Sequence, residues 1–164
     1  MSDTYVECLV KAKTSAWAKF LKTFLIVLTV LFGIIMFVFA PAMVVALITG
    51  VATYFVNLYT DIEYEYLYLD KELVVDKVLA KTKRKRVATY SIDRMEILAP
   101  VKSYHLDNYK NRQVKELDYS IGEVCQPDLR YAMYYEGGIR VILSPSSEMI
   151  KALKNVAPRK VFND

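Results

Sequence analysis

The chain has 164 residues, 54% of them hydrophobic and 24% charged, with a formal net charge of +4. That length allows one ordinary domain plus an extra segment, and so weak a charge balance argues against a nucleic-acid protein, which calls for a strongly basic domain. Two cysteines, Cys8 and Cys125, make no disulfide framework or metal cluster and read as free thiols of a reducing compartment.

The apolar residues are not spread evenly. From Thr23 to Thr60 the chain holds no Asp, Glu, Lys, Arg or His. All of its Lys, Arg, Asp and Glu lie outside that stretch, which separates a membrane segment from a charged domain. Residues 1–14 read as an N-terminal cytoplasmic segment. Within it, the run from Thr4 to Val10 is consistent with a strand or an interfacial helix, because seven residues are too few for periodicity to decide.

A spanning helix needs about 20 apolar residues, so the uncharged stretch is too long for one. Proline is poorly placed inside a helix and well placed in its first turn. The break at Phe39-Ala40-Pro41-Ala42 therefore predicts two transmembrane helices, 15–39 and 41–59, joined as a hairpin over 15–60. Gly33 and Gly50, with Thr29, Thr49 and Thr53, predict a seam where the two backbones approach closely around the hinge at Pro41. Trp17, Tyr54 and Tyr59 sit where membrane interfaces belong. Lys11, Lys13, Lys19 and Lys22 precede helix one, and Lys71 and Lys77 follow helix two, while the turn is uncharged. The positive-inside rule then places the protein in the cell membrane with two spans and both termini in the cytoplasm. A cleaved signal peptide ending near Ala42 and a shallow re-entrant hairpin are the rival readings.

From Ile62 the pattern changes to period two. Ile62, Tyr64, Tyr66 and Tyr68 alternate with Glu63, Glu65, Leu67 and Leu69, as on a strand with two distinct faces. Asp70-Lys71 reads as a tight turn and Glu72–Leu79 as a second strand. A basic interruption at 81–86 precedes strands at Val87–Ser91 and Ile92–Leu98. Tyr104–Gln113 reads as a polar loop and Val114–Ile121 as another strand. Arg130–Tyr135 and Ile139–Leu143 flank Glu136-Gly137-Gly138, a hairpin signal. Ser144-Pro145 reads as the start of a helix, whose stripe of Met149, Ile150, Leu153 and Val156 predicts an amphipathic helix over 146–157. The expectation for 61–164 is a cytoplasmic α+β domain: a small antiparallel barrel or sandwich of six or seven strands capped by a C-terminal helix.

This order of parts resembles the bacterial pleckstrin-homology-like membrane proteins. The stretches that carry the resemblance are Tyr64-Glu65-Tyr66-Leu67-Tyr68-Leu69-Asp70-Lys71-Glu72-Leu73-Val74-Val75, the run Arg86–Glu96, and the closing helix from Ser146 to Val156. The insert Lys102–Gln113 departs from the compact pattern. The whole chain is also similar to small two-helix membrane proteins of anaerobic Gram-positive bacteria. The resemblance implies a partly open barrel closed by the helix, and a binding or scaffolding module in place of an enzyme.

Catalytic constellations are sparse. The single histidine, His105, reads as a solvated loop residue. A cluster of His105, Asp107 and Glu123 is the one arrangement that would revive an enzymatic reading. Glu63 and Glu65 share a strand face and read as a solvated face or as partners for nearby lysines, although a carboxylate pair is an acid–base candidate. No cofactor, metal site or catalytic residue is expected.

The feature with a functional edge is Lys81, Lys83, Arg84, Lys85 and Arg86. Near an anionic inner leaflet each such cation contributes about 1 kcal/mol of attraction. Phospholipid headgroups are the expected ligand, and the acid-rich stretch Asp61–Glu72 is the competing partner. The expected function is a membrane-anchored, non-enzymatic binding or scaffolding module. It would contact lipid headgroups, an unknown protein or a second copy of itself. The alternative is an accessory subunit of a transporter or envelope complex that binds through the hairpin.

Overall fold

The computed structural model describes residues 5–122 and 127–163; Glu123 and Cys125 lie outside the described residues. The chain divides into two compact units. One is a helical hairpin, Thr14–Ile62, together with Leu79–Lys83. The other is a β-domain built from the N-terminal segment as far as Lys13, from Glu63–Val78 and from Arg84 onward.

In the hairpin unit, α1 (Ala16–Ile35) and α2 (Ala42–Thr60) are both long and apolar enough to cross a membrane. The first helix ends four residues before the expected Phe39. Phe37, Val38 and Phe39 donate their backbone N–H groups to Ile34, Ile35 and Ile35 in a closing turn. Pro41 has φ −60° and stands just before α2. It lacks an N–H and disfavours helical geometry at the residue before it, so it begins a helix more readily than it continues one.

The seam is made by hydroxyls. Thr29 Oγ1 and Thr53 Oγ1 lie 3.3 Å apart. Each also donates to a carbonyl four residues back, Leu25 and Thr49, at 2.8 Å, which leaves no polar hydrogen stranded in an apolar setting. A Cβ added at Gly50 would lie 3.8 Å from Thr29 Cγ2, in ordinary contact. Gly33 is a correction to the expected seam: a Cβ there would meet nothing within 4 Å. The two glycines are similarly distant from the turn, but only Gly50 faces the opposing helix.

In the β-domain, β1 (Val6–Lys11) resolves the ambiguous N-terminal run as a strand. It pairs antiparallel with β2 (Ile62–Leu69) in a register that sets Val6 opposite Tyr68 and Lys11 opposite Glu63. With β3 (Glu72–Leu79) and β4 (Lys83–Ser91) it forms a four-stranded sheet in the order β1-β2-β3-β4. Both hairpin turns place two residues in the left-handed region, Asp70 (φ 50°) with Lys71 (φ 63°) and Ala80 (φ 46°) with Lys81 (φ 56°). That pairing is the signature of two-residue turns whose twist matches the strands. The basic run therefore belongs mostly to β4, where a loop was expected.

The second sheet has the order β5-β7-β8-β6, from β5 (Met95–Pro100), β6 (Lys115–Asp118), β7 (Tyr131–Tyr135) and β8 (Ile139–Leu143). The described residues hold eight strands, of which seven, β2 to β8, lie in 61–164, in keeping with the six or seven expected there, and the sheets form the open, sandwich-like alternative to a closed barrel. One expectation needs correction: the sheets are not wholly antiparallel, because β6 runs parallel to β8. The two are not joined by a tight turn, so nothing forces them to run in opposite directions.

The main core lies between the sheets. Tyr66, Tyr68, Leu73 and Val75 of the first sheet meet Leu98, Met133, Val141 and Leu143 of the second. Helix α3 (Ser147–Val156) closes this core with Met149, Ile150, Ala152 and Leu153. Its cap is Ser146, whose hydroxyl accepts from Met149 N–H at 3.3 Å. Ser144, the expected cap, is buried and accepts from Ile121 N–H. The chain then lays Val161 beside Leu98 as a parallel bridge, which covers part of the edge of β5.

The insert at 102–113 has a structural role. A short 3₁₀ turn at Tyr104–Leu106 buries Leu106 against Ile97, Ala99, Ala132, Tyr134 and Ile142. The second sheet is thereby covered on both faces, and its strands read as nearly continuous apolar runs for that reason.

Tyr66 joins the sheets through hydrogen bonds as well as packing. It is fully buried, its hydroxyl donates to the Tyr119 carbonyl, and it accepts from Ser144 N–H at 3.3 Å. Burial pushes this phenol well above its ordinary range, so it remains a donor at any working pH. Tyr66→Phe strands two buried backbone groups and should cost about 1–3 kcal/mol. A thermal melt of the detergent-solubilised chain should show a lower Tm, and an unchanged Tm would refute the bridging role. In the hairpin, Gly50→Leu should overpack the seam at a cost of about 1–3 kcal/mol. Gly33→Leu should be nearly neutral in the same thermal melt, and equal losses at both positions would count against the seam described here.

Candidate functional site

The basic run is sorted by the period of the strand that carries it. Successive side chains of β4 point to opposite faces. Arg84 and Arg86 meet acids from the neighbouring strands. Arg84 Nη2 is 2.8 Å from Glu65 Oε1. Arg86 Nε is 3.5 Å from Asp76 Oδ1. The guanidinium groups remain 58% and 67% exposed while the two acids are almost wholly covered.

Lys81, Lys83 and Lys85 behave differently. All three are exposed, and none forms an ion pair among the described residues. The turn that carries Lys81 is anchored to the helical hairpin: Ala80 N–H donates to the Asp61 carbonyl at 2.7 Å, just past the end of α2. At the same end, Thr14 Oγ1 donates to the Thr60 carbonyl at 2.9 Å. The start of α1, the end of α2 and the tip of the β3–β4 hairpin thus belong to one compact unit. Trp17 and Tyr59 are exposed at this end, where amphipathic rings suit a headgroup region.

Glu63 and Glu65 correct the sequence expectation of a solvated face, since both are buried. Glu65 lies just beneath a layer of surface side chains, not deep in the core. Its Oε1 has Arg84, whereas its Oε2 has no hydrogen-bond partner, and Asp76 Oδ1 likewise makes no hydrogen bond. Burial holds the Glu65 carboxyl above the usual carboxylate range, and the adjacent Glu7 carboxyl adds to this, against the opposing pull of Arg84. Glu7 is held below that range by the neighbouring Glu65 carboxyl and by the hydrogen bond it accepts from the Tyr5 hydroxyl at 2.9 Å.

Sequence reasoning found the cations and the alternation of Glu63 and Glu65 against the tyrosines, but not the acid layer under the arginines. The signal was present: Asp76 falls between Val74 and Val78 on the same face of β3, a charge flanked by two valines.

Of the proposed enzymatic cluster, His105 and Asp107 fall among the described residues. His105 is not a solvated loop residue, for its ring stacks on Phe162 at 3.8 Å and on Tyr104 at 4.0 Å beside the second core. Asp107 pairs with Lys110 at 2.6 Å, and Glu123 lies outside the described residues. Among the described residues no group of three or more His, Cys, Asp or Glu side chains is arranged to hold a metal ion.

No curated protein and no solved structure matches the chain. One family model does, described as a bacterial PH-like domain, and it covers residues 2–163. The match takes in the helical hairpin as well as both sheets and the closing helix. On that coverage, the chain belongs to the bacterial PH-like domain family DUF6106.

Proposed function

We propose that this chain is a membrane-anchored, non-enzymatic binding module. Its PH-like domain works at the cytoplasmic face, and Lys81, Lys83 and Lys85 contact anionic lipid headgroups there. The observation that carries this reading is the division of the basic run. The arginines are committed to buried acids, and the lysines are exposed without acidic partners among the described residues, on a hairpin tied to the end of α2. Near an anionic leaflet each lysine adds about 1 kcal/mol of attraction. The helices already hold the chain at the membrane, so these charges orient the domain instead of recruiting it.

The cytoplasmic orientation rests on the lysines before α1 and after α2 and on the uncharged turn between the helices. The pairing of β1 with β2 supports placing both ends of the hairpin on one side. It also weighs against a cleaved signal peptide, since cleavage near Ala42 would remove β1 and the buried Val10 with it.

The test uses the full chain in nanodiscs, with or without phosphatidylglycerol in a phosphatidylcholine background. Hydrogen exchange of residues 80–86 should slow in the anionic discs, and 0.5 M salt should reverse the effect. Lys81→Gln/Lys83→Gln/Lys85→Gln should abolish the difference between the two discs without lowering Tm. Protection that is the same in both discs, or that survives the triple substitution, would sink the lipid reading.

A further inference from the structure

The arginines of β4 are exposed yet occupied, and the acids that hold them are covered. We propose that Glu65 is a proton-operated latch on Arg84: while ionised it withholds the guanidinium from the headgroup site, and when protonated it releases it. The inference rests on the lipid reading for its consequence but not for the latch itself.

The geometry supplies the parts. Glu65 is 1% exposed and spends one oxygen on Arg84 Nη2 at 2.8 Å. Its second oxygen is buried with no hydrogen-bond partner, an open acceptor that a proton would fill. The charged and titratable groups facing Glu65 are Glu7 and Tyr5 at the N-terminal edge, Asp76 on β3, and Arg84 on β4, with Arg86 next to it and held by Asp76. Glu63 shares its strand face, two residues away and opposite Lys11. Three carboxylates, Glu7, Glu65 and Asp76, thus compete for two guanidiniums, and the two deepest have incomplete hydrogen bonding.

Protonation turns the Glu65 carboxyl into a donor toward Glu7. It removes the anion that Arg84 holds. Glu7 is a poor substitute partner, because it then accepts both the Glu65 proton and the Tyr5 hydroxyl. The sign follows from burial. The folded chain binds a proton at Glu65 more tightly than the unfolded chain does, so protonation begins above the ordinary carboxylate range as pH falls. Glu7 shifts the other way and stays ionised through that window. The site therefore gains a cation on mild acidification.

Two readouts separate the latch from the lipid contact. In zwitterionic nanodiscs, Arg84→Gln should lower Tm by about 5 °C at pH 7.5, where it leaves a buried carboxylate unpaired, and by less than half as much at pH 5.0. Equal losses at both values would overturn the latch. In phosphatidylglycerol nanodiscs, Glu65→Gln imitates the protonated state. At pH 7.5 it should strengthen protection of residues 80–86, corrected for intrinsic exchange, by about fivefold, the worth of one more cation near an anionic surface. It should then show no further gain at pH 5.0, where the unsubstituted chain catches up. A Glu65→Gln chain that matches the unsubstituted one at both pH values would overturn the proposal. Loss of all anionic-lipid dependence in both chains would remove the lipid reading, and the Arg84→Gln melts would still decide the latch.

Discussion

The pairing of β1 with β2 constrains the rest of the molecule. Lys11 lies opposite Glu63 in one antiparallel ladder, so the segment between them must begin and end at the same place. A single long helix cannot do this; two helices of matched length joined by a short turn can. The uncharged stretch from Thr23 to Thr60 is about two spans long, and Pro41 divides it where a hairpin needs a bend.

The same ladder explains why the first sheet keeps a polar layer. Its inner face is filled by Tyr66, Tyr68, Leu73 and Val75 against the second sheet. Its other face carries Glu63, Glu65 and Asp76, which are covered yet not enclosed by a core. Buried carboxylates are tolerated only where cations or protons reach them. The cations come from β4, two strands from Glu65 and one from Asp76, on long side chains that span those intervals with their heads still in water. The second sheet has no such layer, because the insert after β5 covers its outer face with Leu106, Tyr109 and Val114.

Much of this was legible in the sequence, and the failures have physical causes. The hairpin, β2, β3, β8 and the closing helix were readable because each has an uninterrupted period or a clear stop signal. Val6–Lys11 was not, since its strand character comes from pairing with a partner more than 50 residues away. The parallel course of β6 was hidden for a similar reason: four residues, Lys115–Asp118, carry no sign of direction. Gly33 and Gly50 looked equivalent by spacing, but helical phase alone decides which faces the seam. At the candidate site the cations were visible and their partners were not. Period two shows that Glu63 and Glu65 share a face, but burial of that face depends on β1 and β4, which arrive from opposite edges of the sheet.

The composition of β4 suits two tasks. In Lys83-Arg84-Lys85-Arg86 the arginines reach buried carboxylates, and the lysines are exposed without an ion pair among the described residues. A guanidinium presents several donors in a fixed plane, is weakly hydrated and keeps its charge at any working pH. Those properties suit a group that must reach over a sheet and satisfy a desolvated acid. An ammonium is compact, strongly hydrated and mobile, which suits a diffuse negative surface with no fixed geometry. Exchanging the two residue types in place would preserve the net charge and every burial pattern along the strand. It would put ammonium groups over Glu65 and Asp76, where the planar fork is lost, and guanidiniums toward solvent. Charge count alone is therefore a poor description of this run. Its meaning lies in which cation reaches a buried acid and which does not.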